Sequence, residues 1–139
     1  MKIIGFDFTK MYAEKYGKNF SNLKINNQIN IKNISELKEE LIKNKESAIE
    51  IEFVYEILYE EKIAKISFEG KLLVVVESKE VKEILKDWKE KKLKDDFRIP
   101  LFNAILRKAG LKALQLEEEL SLPPHFSMPF LDPKSEIKK

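Results

Sequence analysis

The chain has no cysteine and only one histidine, His125, among its 139 residues. Without cysteine, disulfides, cysteine-ligated zinc and thiol nucleophiles are excluded. A single histidine without supporting motifs does not make a Ser/His/Asp triad, and no carboxylate flanks it at metal-ligand spacing. The four glycines are isolated, which excludes a glycine-rich phosphate loop. We therefore expect no catalytic residue, no cofactor and no metal site, and interpret His125 as a contact of the C-terminal segment.

Long hydrophobic runs are also lacking. No stretch approaches the roughly 20 apolar residues of a transmembrane helix, so no membrane insertion is expected. The N-terminal apolar run is short and is broken by Asp7, unlike a signal peptide. The net charge of +2 is the difference between 26 basic and 24 acidic residues, which predicts no strong attraction to nucleic acid or membranes. These features favour a cytoplasmic protein.

A long alternating stretch over residues 48–76 predicts a β-hairpin. Its two arms, residues 48–60 and 63–76, alternate apolar and polar side chains around a turn at Glu61 and Lys62. Because side chains alternate faces along a strand, each arm presents one apolar face, with carboxylates mostly on the other. A two-stranded hairpin is marginal alone, so the rest of the chain must cover the apolar face.

A first strand is predicted over residues 2–15, before the hairpin. Its alternation places three aromatic side chains on one face: Phe6, Phe8 and Tyr12. An unpaired apolar strand of this length would invite association with another copy.

A weaker strand is predicted over residues 23–31, where Asn27 interrupts the apolar row. Its asparagines suit a sheet edge or a bulge. The following residues, 35–45, fit either a short capped helix that begins at Ser35 or a charged connection. The sequence leaves these two alternatives open.

Two amphipathic helices are predicted after the hairpin. Ser78 N-caps the first, over residues 78–91. Asp95 and Asp96 cap the second, and Pro100 falls in or near its first turn, where a missing N–H costs little. Gly110 interrupts the apolar pattern, so this helix is expected to kink there or to end and restart. Strands followed by helices predict an α+β fold, with a four-stranded antiparallel sheet and two helices on one side.

The C-terminal segment is rich in proline and predicts an extended tail. Its apolar side chains either close the core of the domain or line a groove for a partner. The candidate client-binding residues are Phe126, Met128, Phe130 and Leu131. We expect one domain over residues 1–133, followed by a frayed polar C-terminus at residues 134–139.

Two charged clusters are interpreted as structural features. The lysines of residues 82–94 are interleaved with acidic residues, which reduce the local positive charge. A surface that binds phosphates should carry fewer acidic residues among its lysines, so no nucleic-acid partner is expected. Asp95 and Asp96 are interpreted as helix caps, and residues 117–119, three glutamates, as a solvated helix face and not as metal ligands.

Several residue patterns resemble the SecB family of export chaperones. They are the opening strand at residues 6–15, the segment 99–116 with its Arg107-Lys108-Ala109-Gly110 step and Leu-x-Leu, and the Leu-Pro-Pro segment 122–126. The last of these is similar to small archaeal SecB-like proteins. The resemblance covers about residues 4 to 131. The short basic end departs from the acidic tail by which family members dock to the export motor.

The resemblance implies a homotetramer built as a dimer of dimers. In such an assembly the first strands pair between subunits and the first helices pack between sheets. The candidate interface residues are Phe6, Phe8, Tyr12, Ile84, Leu85 and Trp88.

The function that the resemblance implies is that of an ATP-independent holdase, not an enzyme. Such a chaperone binds unfolded or partly folded polypeptides, including preproteins, in apolar grooves. An adaptor dedicated to a single folded partner stays open as the alternative.

Overall fold

Four antiparallel strands form one sheet in the computed structural model, which describes residues 1–17, 24–37, 45–126, 130–132 and 135–138. The strands lie in the spatial order β1-β4-β3-β2, so that β1 and β2 are the sheet edges. In chain order the elements are β1 (Lys2–Lys15), β2 (Ile25–Leu37), β3 (Glu46–Tyr59), α1 (Glu60–Ile63), β4 (Ala64–Glu77), α2 (Ser78–Lys89), α3 (Asp95–Glu119), β5 (Phe130–Asp132) and β6 (Ser135–Lys138).

The central hairpin, β3 and β4, is confirmed. Its register runs without a shift from the Glu46–Glu77 pair to the Tyr59–Ala64 pair, and the short helix α1 replaces the predicted two-residue turn. Alternate side chains of both strands are buried beneath α2 and α3, because the apolar row has period two. These buried residues are Ile49, Ile51, Phe53, Tyr55, Ile57, Tyr59, Ala64, Ile66, Phe68, Leu72, Val74 and Val76.

The opposite face of the hairpin carries the charged residues that the alternation predicts. Lys71 lies between Glu50 and Glu52, at 3.8 and 3.6 Å, and Lys65 lies 3.2 Å from Glu56. Cross-strand pairs of opposite charge stabilise a sheet modestly, so this face needs no cover from a helix.

A β-bulge divides β1 into two halves. Phe8 pairs with Gly70 but Lys10 pairs with Glu69, so Thr9 is an extra residue between them. One extra residue moves every following side chain to the other face. Phe6 and Phe8 therefore pack against the core, whereas Tyr12, opposite Ser67, lies on the charged face. The prediction that all three aromatic residues share a face was wrong.

The edge strand β2 is longer than predicted. It continues through Ser35 to Leu37, which pairs with Ala48, so the helical alternative is wrong for these residues. Residues 38–44 lie outside the described part of the chain. A register shift between Ile31 and Asn33 lets the buried side chain of Ile34 return to the helix side. Both predictions for this strand, an edge position and a bulge, are confirmed.

Helices α2 and α3 cover the apolar face, but their starts differ from the predicted caps. Glu77 is the N-cap of α2, and the Ser78 hydroxyl instead lies 2.8 Å from that of Ser47. Lys94 is the N-cap of α3, so Asp95 and Asp96 lie in its first turn. Negative charge at this end of a helix interacts favourably with the helix dipole.

Gly110 does not interrupt α3, which is continuous over 25 residues and contains Pro100. Ala109, Gly110 and Ala113 are all buried, so this part of α3 packs into the core. The tertiary packing thus outweighs the low helix propensity of glycine. The helix therefore does not end and restart at Gly110, which was one of the two predicted alternatives.

After α3, Leu122 joins the core, and residues 122–126 have no regular secondary structure. Farther along the predicted extended tail, β5 and β6 form a separate two-stranded antiparallel sheet.

We predict that Gly70→Ala destabilises the sheet. A Cβ at Gly70 would lie 2.5 Å from the Asp7 carbonyl oxygen and 2.7 Å from Cζ of Phe53, so backbone and ring must both shift. Overpacking of this kind costs about 1–3 kcal/mol of unfolding free energy, measurable by urea denaturation. Gly110→Ala is the control, because its Cβ would meet only Nε2 of His125 at an ordinary 3.5 Å. Equal stability of the two variants would contradict the packing argument.

Candidate functional site

An apolar cavity of about 290 Å³ lies between the edge strand β2 and the connection from α2 to α3. Ile29 and Ile31 form its strand side, and Trp88 and Phe102 contribute aromatic rings from the helices. Its complete lining is Ile29, Asn30, Ile31, Trp88, Lys91, Leu93, Arg98 and Phe102.

A second cavity, of about 560 Å³, lies farther along the same two elements. Its walls come from the earlier part of β2, from the middle of α3 and from the segment after α3. The lining residues are Asn27, Tyr55, Leu106, Arg107, Gly110, Leu111, His125 and Phe126.

The two cavities lie next to each other along β2 and α3, and together we call them the β2–α3 groove. Phe102 of the first cavity and Leu106 of the second are one helical turn apart, and Ile29 and Asn27 are successive residues on the helix side of β2. The apolar side chains are accessible, since Leu106, Leu111 and Phe126 are 43%, 61% and 47% exposed. The groove therefore offers accessible apolar side chains along the edge strand.

The sheet edge beside the groove is open. Within the described residues β2 pairs only with β3, so one side of its backbone is free of strand partners. Such an edge presents unpaired N–H and C=O groups to an incoming extended segment.

A buried polar cluster fixes the segment that forms the end of the groove. Glu117, 1% exposed, accepts a hydrogen bond from the Tyr59 hydroxyl. Its Oε1 and Oε2 lie 2.9 and 3.1 Å from Nδ1 of His125, whose side chain is 5% exposed. The Tyr59 hydroxyl also lies 2.6 Å from the carbonyl oxygen of Pro123. Hydrogen bonds of this cluster thus connect strand β3, helix α3 and the segment after α3.

The cluster corrects the interpretation of Glu117 as part of a solvated helix face. Ile105, Ala109, Ala113 and Glu117 recur every four residues and are all buried, so Glu117 continues the buried stripe of α3. That spacing was the signal in the sequence. His125 is a contact of the C-terminal segment, as predicted. Its partner is Glu117, a residue that was predicted to face solvent.

Burial raises the pKa of Tyr59, and its hydrogen bond to Glu117 raises it further. Burial, with the nearby Glu117 charge, raises the pKa of Tyr55 from 10.0 to about 12. Both rings lie in the core, so their ionisation is opposed in the folded protein and not in the unfolded chain.

The predicted client-binding residues are only partly within the described structure. Phe126 lies in the β2–α3 groove, in an edge-to-face contact with His125 at 4.8 Å between ring centres. Met128 is outside the described residues. Phe130 and Leu131 belong to β5, and their side chains are outside the description.

The predicted interface residues pack mainly within this chain. Phe6 contacts Phe53 and Phe8 contacts Phe68, each at 5.3 Å between ring centres. On α2, Ile84 is buried in the core, Leu85 is partly buried, and Trp88 lines the groove.

In the described part of the chain, no three histidine, aspartate or glutamate side chains come together as a metal site would need. Over the same residues, none of the helices combines the length and the hydropathy of a membrane-spanning segment.

We predict that stability falls at alkaline pH because of Tyr55 and Tyr59. Their folded pKa values lie above the unfolded value, so the stability they contribute is complete below about pH 10 and declines as pH rises toward 12. Urea unfolding at pH 9 to 11.5 should show this decline, with a shallower slope for Tyr55→Phe. The wild-type chain is the reference, and equal slopes for it and for Tyr55→Phe would contradict the prediction.

We also predict that Glu117→Gln lowers the unfolding free energy. The amide replaces a carboxylate that pairs with both Tyr59 and His125, and buried hydrogen bonds to a charged group contribute about 1.5–3 kcal/mol each. Chemical denaturation of this variant and of the exposed control Glu118→Gln measures the difference. A cluster without structural importance would give two equal midpoints.

Comparison with known proteins supports the architecture. No family model and no curated protein matches the sequence. Among solved structures, the chain is similar to the SecB-like chaperone Rv1957 of Mycobacterium tuberculosis, in complex with a ChAD peptide from the HigA1 antitoxin Rv1956. The TM-score is 0.55 at 14% identity, over 94% of this chain and 89% of that chain. A four-stranded antiparallel sheet followed by two helices on one side therefore gives this chain a SecB-like fold, as the sequence predicts.

Proposed function

We propose that this protein is a chaperone that binds extended segments of unfolded or partly folded polypeptides in the β2–α3 groove. The observation that supports the proposal is the groove itself, two accessible and largely apolar cavities beside an open strand edge. Client side chains bury apolar area against residues such as Trp88 and Leu106, while client backbone groups pair with β2.

The structural neighbour supports a polypeptide as the ligand. That SecB-like chaperone was solved with a bound peptide from an antitoxin. The fold alone does not determine a function, so the proposal for this chain depends on its own groove. The action is binding without nucleotide, with no catalysed reaction. Export precursors and labile cytoplasmic proteins are both suitable clients.

We further propose that the chain assembles as a homotetramer. The edge strand β1 is 14 residues long and, among the described strands, pairs only with β4. Such an edge favours pairing with a second copy. Several grooves on one assembly would add avidity for a long client without strong individual contacts.

A dedicated adaptor is the second candidate, because the neighbour holds a peptide from one specific antitoxin. Breadth of binding separates the two functions. A holdase protects unrelated unfolded proteins, whereas an adaptor binds one partner.

The first test is suppression of aggregation in the absence of nucleotide. Two unrelated denatured proteins are diluted into buffer with and without this protein, and light scattering is followed. We expect suppression of both at near-stoichiometric amounts of chaperone. Suppression of neither would refute the holdase and leave the adaptor to be tested.

A matched pair of variants then tests the groove. Leu111 and Ile99 are both exposed on α3, 61% and 46%, but only Leu111 lines the groove. Leu111→Ser should weaken peptide binding about tenfold, since burying a leucine contributes about 1.5–3 kcal/mol. Ile99→Ser should leave binding unchanged. Fluorescence anisotropy with a labelled apolar peptide measures both, and equal effects would place the binding surface elsewhere.

A further inference from the structure

The lining of the β2–α3 groove combines apolar and aromatic side chains with cations. Its lining contains Lys91, Arg98 and Arg107, and no carboxylate. The three cations lie along the α2–α3 side of both cavities, so a bound segment would meet positive charge over the length of the groove.

Two of the three cations are unpaired among the described residues, and the third is shared with Asp95. Among the described residues, neither Lys91 nor Arg107 makes an ion pair, and both side chains are exposed. Arg98 pairs with Asp95 at 2.8 Å, but its guanidinium also lies 5.8 Å from the centre of the Phe102 ring, on the aromatic wall of the groove. A partner carboxylate there would gain both a positive charge and an adjacent apolar surface.

Four acidic residues of the same helices line a different cavity. That cavity, of about 250 Å³, is lined by Glu80, Glu83, Asp87 and Asp96 together with Lys94. The linings of the two sites therefore differ in their prevailing charge, although the whole chain has a net charge of only +2. The small net charge of the chain therefore does not reveal the excess of cationic side chains that line the groove.

We propose that the groove selects extended polypeptide segments in which apolar side chains are flanked by aspartate or glutamate. The inference rests on the proposed function and adds the chemistry of the preferred ligand. The apolar side chains of the segment occupy the two cavities, and its carboxylates meet Lys91, Arg98 and Arg107. Segments flanked by lysine or arginine are disfavoured, because like charges then face each other in the groove.

The test compares two labelled peptides with the same leucine and phenylalanine core, one flanked by acidic residues and the other by lysines. Anisotropy is measured with the full chain at low and at high salt. We expect the acidic peptide to bind about tenfold more tightly at low salt, as two or three exposed ion pairs allow, and the preference to shrink at high salt.

A double variant, Arg98→Glu with Arg107→Glu, should reverse the preference. Lys82→Glu with Lys86→Glu is the matched control, since both lysines are exposed on α2, outside the groove lining, and the net charge changes equally. The control should keep the preference for the acidic peptide. The same reversal in both variants would assign the effect to overall charge and overturn the inference.

The remaining outcomes separate the inference from the proposed function. If both peptides bind equally, or the basic peptide binds better, the groove binds polypeptides without the proposed charge selection. If neither binds, the proposed function fails as well. If affinity falls as the protein concentration rises, with self-association in sedimentation, a second copy occupies the groove and the inference is overturned.

Discussion

The structure depends on covering one face of the β3–β4 hairpin. Twelve side chains on that face are almost fully buried, whereas the opposite face carries glutamates and lysines that pair across the strands. Burial of apolar area is the main favourable term in folding, so the helices must lie on this side. Helix α3 contributes to this cover over 25 continuous residues, and its buried face includes Phe97, Leu101 and Ile105.

The same constraint leaves the groove. Two helices cover the central strands, but the helix side of β2 at Asn27 and Ile29 faces a cavity, and the adjoining surface of α3 is exposed. The interrupted apolar row of β2 also makes this strand less able to hold a tight cover, because asparagine packs poorly on an apolar surface. Because the helices cover the sheet incompletely near β2, two apolar cavities remain accessible beside the backbone of this edge strand.

The cluster of Tyr59, Glu117 and His125 gives the groove a defined end. Buried polar groups are costly unless all of them find partners, and the geometry that satisfies them is specific. Through Pro123 and His125 the cluster holds the segment after α3, so that Phe126 stands at the second cavity. Within the described residues of this segment, Leu122 packs in the core and Phe126 lines the second cavity.

By itself the sequence determined the elements with strong local periodicity. The hairpin and the two amphipathic helices follow from periods of two and 3.6, and their order predicts the α+β layout. Tertiary structure decided what depends on cross-strand pairing and on distant contacts. The bulge at Thr9 turned Tyr12 away from Phe8, and pairing with β3 kept residues 35–37 in a strand. Glu117 met His125 and Tyr59 only because α3 crosses the sheet unbroken, a contact between residues 58 positions apart that no local pattern contains.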